Sequence, residues 1–109
     1  MRLSLTFAMI MAAVALLTAP AGAQTRTRVT IYTASEIDQL GALKAAMERD
    51  LPDIEVTFVR DSTGVLTARL IAERTTPRAD MIFGIVTSSL VALERLNVLE
   101  PYRPQGVAE

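Results

Sequence analysis

From residue 29 onward the chain alternates between two kinds of apolar pattern. Short β-branched or aromatic stretches run 29–33, 54–59 and 79–83. Between and after them, apolar residues recur at intervals of three and four. The first pattern is that of strands and the second that of amphipathic helices. Val29-Thr-Ile-Tyr-Thr33 predicts the first strand. A helix follows near 36–50, with Leu40, Leu43 and Met47 on one face. Ser35 and Asp38 have the spacing of a capping box at its start, with Asp in place of Glu or Gln. The second strand leads to a helix near 65–74 whose inner stripe is Leu66, Leu70 and Ile71, capped by Ser62 or Thr63. The third strand breaks at Gly84. A last helix starts near Ser88 or Ser89, presents Leu90, Leu93 and Leu96, and stops at Asn97, a residue that tolerates the left-handed conformation.

The order is βαβαβα with short connections. Crossovers of this length join parallel strands and are right-handed. The fold class is therefore α/β: an open, mostly parallel sheet with flanking helices. In such a sheet the strand-end loops gather on one edge, where ligands bind. Here those loops are Thr33-Ala34-Ser35-Glu36, Asp61-Ser62-Thr63-Gly64 and the segment from Gly84 through Thr87 and Ser88. Each opens a helix. Hydroxyls and free helix-start amides together suit a small anion. Capping alone explains a Ser or Thr at any single helix start, so the case for binding rests on three such loops on one edge. Ser62-Thr63-Gly64 is the richest, with two hydroxyls and a glycine that lets the backbone come close. Glu36 can complement the helix dipole or meet a ligand amine. Asp61 can support its turn or contact a cation. Arg60 lies close enough to help an anion but, like Arg69, reads as a solvated residue. Tyr32 reads as core. Asp80 falls at the opposite end of the sheet.

The N-terminal segment has a different character. Arg2 precedes a run over 3–17 that only Ser4 and Thr6 interrupt, and Pro20 and Ala21-Gly22-Ala23 follow it. This predicts a signal peptide, residues 1–23, cleaved after Ala23. The run falls short of the roughly 20 apolar residues of a membrane span. The mature part, 24–109, opens on a flexible polar lead-in over 24–28. Removing the signal takes one of eleven basic residues and leaves all twelve acidic ones. That mild acidity disfavours nucleic acid as a partner. The 109 residues contain no Cys and no His. Disulfides, thiolate metal sites and a Cys nucleophile are thereby excluded, and the commonest base and metal ligand is missing. No catalytic constellation stands out, so catalysis is the weaker class of function. No cofactor or metal site is expected.

Several segments carry a family resemblance. Val29-Thr-Ile-Tyr-Thr-Ala-Ser-Glu36, Pro52-Asp-Ile-Glu55, Val59-Arg-Asp-Ser-Thr-Gly64, Arg78-Ala-Asp80 and Leu99-Glu-Pro-Tyr102 resemble the N-terminal part of periplasmic solute-binding proteins of ABC importers. The likeness is greatest to the putative 2-aminoethylphosphonate-binding subgroup within the ferric-ion-binding-like, type 2 group. The resemblance implies a two-lobed hinged fold, with this chain as part of lobe 1. It implies that Thr33, Ala34, Ser62, Thr63 and the Thr87-Ser88 region line the cleft. It also implies a monomeric full-length protein, exported to the periplasm, that delivers 2-aminoethylphosphonate or a similar small anion to an inner-membrane ABC permease. Alternatives are ferric iron or another small solute of the same group, or a truncated gene product without function.

Overall fold

A computed structural model describes residues 25–106, so the signal-peptide expectation over 1–23 lies outside the described residues. Three strands and three helices alternate: β1 (Thr27–Thr33), α1 (Ile37–Asp50), β2 (Ile54–Arg60), α2 (Thr63–Ala72), β3 (Met81–Phe83) and α3 (Thr87–Arg95). The sheet order is β2-β1-β3 and both pairings are parallel. The expected open α/β sheet is present.

The pleat assigns the two faces. Tyr32 turns to one side and packs with Leu66, Leu70 and Leu93, so α2 and α3 cover that face. Ile31 turns to the other, where it lines a concavity together with Leu43, Met47 and Phe58, so α1 lies on that side. Ile31, Tyr32, Val56, Leu66 and Leu93 are almost entirely removed from solvent. Burying an aliphatic side chain of this size contributes about 1.5–3 kcal/mol. A single helix spans the α1 face incompletely, leaving Met81 and Phe83 of β3 partly exposed beside a concavity of about 180 Å³.

Several local expectations need correction. Thr27 and Arg28 are not a flexible lead-in. They extend β1, opposite Ile54 and Glu55, and Thr27 N–H donates to the Asp53 carbonyl at 2.8 Å. The capping box does not form: α1 is preceded by Glu36 and has no side-chain cap bond. α2 starts at Thr63 and ends at Ala72, two residues earlier at each end than its apolar spacing indicated. β3 is shorter than 79–83 because Asp80 takes over the ladder. Its Oδ2 accepts the Thr30 N–H at 2.8 Å, and its own N–H donates to the Thr30 carbonyl at 2.9 Å. α3 begins beyond Val86 with no side-chain cap, and Leu96 lies on its exposed side. Asn97 does end this helix in the left-handed region, at φ 53°.

β2 is an edge strand, and α1 protects it. Lys44 Nζ donates to the Val56 carbonyl, while Glu48 Oε1 accepts the Val56 N–H at 2.8 Å. The two side chains pair with each other at 2.6 Å. Together they occupy the outward amide and carbonyl of Val56, two of the backbone groups that an added strand would use.

Candidate functional site

Register fixes where the loops sit. Thr33 stands opposite Arg60 on one side and Phe83 on the other, so all three strands end level with one another. The segments after them therefore emerge side by side, as the sequence implied.

Three contacts bind the first loop to the end of β2 and the loop after it. Asp61 N–H donates to the Thr33 carbonyl at 3.2 Å. Arg60 Nε donates to the Ser35 carbonyl at 2.8 Å, and its Nη2 lies 3.4 Å from Glu36 Oε2. A fourth contact joins the first loop to the last. Gly84 sits at φ 67°, and a Cβ placed on it would overlap Ser35 Oγ. Only glycine combines that backbone conformation with so close an approach.

The predicted site residues differ in what they offer. Thr33 is fully buried, and its Oγ1 accepts the Ser35 N–H at 3.1 Å, so it braces the first loop from beneath. Ala34 and Ser35 are half-buried, and Glu36 is exposed. Ser62 caps α2, its Oγ accepting the Val65 N–H at 3.4 Å. Its own N–H donates to Asp61 Oδ1 at 2.7 Å, which gives Asp61 the turn-supporting role. Thr63 is half-buried, and Gly64, Thr87 and Ser88 are exposed. A cap bond thus satisfies one amide at α2, whereas α1 and α3 begin without a side-chain cap. Unsatisfied first-turn amides carry the partial positive end of the helix dipole.

Two arginines do more than the solvated role expected of them. Arg60 does not simply extend into solvent; it ties the end of β2 to the first loop. Arg69 lies over the Tyr32 ring, 4.9 Å from its centroid, and pairs with Glu73 at 2.9 Å. Tyr32 is core, as expected, and its hydroxyl donates to Glu73 Oε2 at 2.9 Å. Burial, then the Glu73 hydrogen bond, push the Tyr32 phenol above its ordinary pKa. The Arg69 hydrogen bond holds the Glu73 carboxyl below its ordinary value. This network braces the far side of β1 and takes no part in the loop edge.

No protein-family model matches the chain. It is 36% identical, over 50 residues, to a probable ABC transporter periplasmic-binding protein, y4fP, of Sinorhizobium fredii (strain NBRC 101917 / NGR234). That match covers 46% of this chain and 14% of the relative. The structure superposes on the periplasmic binding protein P5PA with a TM-score of 0.69 at 24% identity, covering 73% of this chain and 25% of that one. The fold is that of a periplasmic binding protein lobe. AfuA from Actinobacillus pleuropneumoniae, a periplasmic binding protein solved with exogenous fructose-6-phosphate bound, gives a TM-score of 0.68 at 25% identity over 72% of this chain and 24% of its own. Trichodesmium IdiA (FutA), in complex with iron and citrate ligands, gives 0.63 at 17% identity with the same coverages. Three of these proteins are named as periplasmic binding proteins. This chain spans about a quarter of the solved structures it matches, so it corresponds to part of a binding-protein fold.

Proposed function

We propose that this chain contributes one wall of the solute site of an ABC importer's periplasmic binding component, and that its ligand is a small phosphonate such as 2-aminoethylphosphonate. The observation that carries this reading is the level ending of three parallel strands. It brings Ser35, Ser62, Thr63, Thr87 and Ser88, two helix starts without side-chain caps and the Arg60 guanidinium to a single edge. That edge offers hydroxyl and amide donors beside a cation, which is the chemistry of an anion receptor. A neighbour that holds fructose-6-phosphate supports a phosphoryl-bearing ligand. The signal peptide expected over 1–23 fits export, a periplasmic setting and delivery to an inner-membrane permease. In this reading the chain binds and releases its solute and performs no chemistry.

A second reading, iron binding, is favoured by the neighbour solved with iron and citrate. The described residues bring together no group of three or more His, Cys, Asp and Glu that could hold a metal.

An amide-resolved NMR titration of the purified protein with 2-aminoethylphosphonate tests the proposal, because it detects weak as well as tight binding. Saturable shifts at 33–36, 61–64 and 84–88 are expected. Shifts confined to other parts of the lobe, or none at all, refute it. Ser62→Ala combined with Thr63→Ala should weaken binding, each lost hydrogen bond to the charged ligand costing about 1.5–3 kcal/mol.

A further inference from the structure

The Arg60–Glu36 pair differs from the other ion pairs in its place. It stands on the strand-end edge, with the guanidinium held at the Ser35 carbonyl at 2.8 Å and the two charges 3.4 Å apart. The arginine side chain is 41% exposed and the glutamate 74%, so both ends are open to a ligand. Exposed pairs of this kind contribute little to folding. Either partner can therefore be exchanged for a ligand group at small cost.

The exchange is selective. A simple anion arriving at Arg60 breaks the pair and then lies beside the Glu36 carboxylate, where like charges repel. A simple cation arriving at Glu36 leaves the guanidinium without its partner. A ligand that carries an anion and an ammonium on a short aliphatic chain replaces the pair charge for charge.

Resting on the phosphonate reading above, we propose that Arg60 and Glu36 form a template for a zwitterionic ligand. Arg60 takes the phosphonate oxygens, Glu36 takes the ammonium, and the same carboxylate discriminates against inorganic phosphate. Selectivity for the amine thus comes from a charge already present at the edge, balanced by Arg60 until the ligand arrives.

The test compares 2-aminoethylphosphonate, ethylphosphonate and inorganic phosphate by NMR titration of the wild-type protein and of Glu36→Gln and Arg60→Gln. The wild type should prefer the amine-bearing ligand over ethylphosphonate by about fivefold, the scale of a favourable exposed ion pair. Added salt should erode that preference, a readout that needs no variant. Glu36→Gln should bring the ratio close to one, weakening the aminophosphonate while strengthening ethylphosphonate and phosphate. Arg60→Gln should weaken all three. A preference that survives Glu36→Gln overturns the template. So does a uniform loss in both variants with the ratio preserved, because the pair then only braces the first loop. If none of the three ligands shifts the strand-end residues of the wild type, the phosphonate reading itself fails and the template falls with it.

Discussion

Gly84→Ala is the most direct probe of the strand-end edge. The residue sits at φ 67°, and an alanine held there costs about 1–2 kcal/mol. The new methyl group also overlaps Ser35 Oγ, while Ser35 Cβ and Thr33 Oγ1 stay at an ordinary 3.4 Å. Ser35 Oγ turns on a single bond and can leave the overlap by rotating. An unfavourable rotamer costs about 0.5–1.5 kcal/mol. The single substitution should therefore destabilise the lobe by about 1.5–3.5 kcal/mol. In a Ser35→Ala background the rotating atom is gone and only the backbone cost remains, about 1–2 kcal/mol. The four proteins of this cycle should show a coupling of about 0.5–1.5 kcal/mol. Urea unfolding followed by circular dichroism measures it, provided the slope m stays constant across the set. An equal cost in both backgrounds would refute the close approach of the first and third loops. A Gly84→Ala cost below about 0.5 kcal/mol would refute the left-handed backbone as well.

Three further outcomes are expected. Leu66→Ala removes a side chain that is completely buried between α2 and β1 and should cost about 2–5 kcal/mol in the same urea assay; a cost below that range would place Leu66 outside the core. Because the native Glu73 carboxyl titrates below its ordinary value of 4.5, its contribution is present above that pH and is lost as pH falls through the depressed value. Glu73→Gln should therefore lose less stability than wild type on acidification, whereas parallel curves would contradict the Arg69–Glu73–Tyr32 network. Tyr32 has the opposite sign: its phenol is raised above 10.0, so its contribution is complete below that pH and disappears as pH rises through the native value, and Tyr32→Phe should soften the alkaline loss.

The alternation of strands and helices was legible because each element has its own apolar period. Ile31 and Tyr32 mark opposite faces of β1, and Leu66 and Leu70 mark one face of α2. Element ends were less legible, since they depend on partners distant in sequence. Asp80 looks like the start of a strand, but its carboxylate accepts a ladder hydrogen bond from Thr30, 50 residues away. Ser35 and Asp38 have the spacing of a capping box, yet Arg60 and Gly84 hold Ser35 in a different role. Spacing cannot reveal such competition. Arg69 illustrates the same gap: its place over the Tyr32 ring follows from packing α2 on β1 and leaves no trace in local composition. The gathering of hydroxyl-bearing loops was readable because parallel topology alone places them together.

Capping and anion binding, which the bare sequence presents as rival explanations for Ser62, become compatible once the geometry is known. A hydroxyl has one donor and two acceptor positions. Ser62 Oγ uses an acceptor position for the Val65 N–H and keeps its proton available to donate. A deprotonated phosphonate only accepts, so a capping serine still complements it, and accepting from an amide polarises the hydroxyl towards donation. Thr33 differs. Its hydroxyl also accepts an amide, but it is fully buried and would reach a ligand only if the first loop moved. The proposed receptor therefore shifts away from Thr33 towards Ser62, Thr63, Thr87 and Ser88, with Thr33 holding the loop on which Ser35 and Glu36 stand. Thr33→Val and Ser62→Ala separate these roles. The first should lower stability and broaden the response of the whole first loop. The second should weaken phosphonate binding by the about 1.5–3 kcal/mol of a charged hydrogen bond and reduce stability only by the loss of a cap, about 1 kcal/mol. If the binding losses came out equal, the distinction between brace and receptor would be wrong.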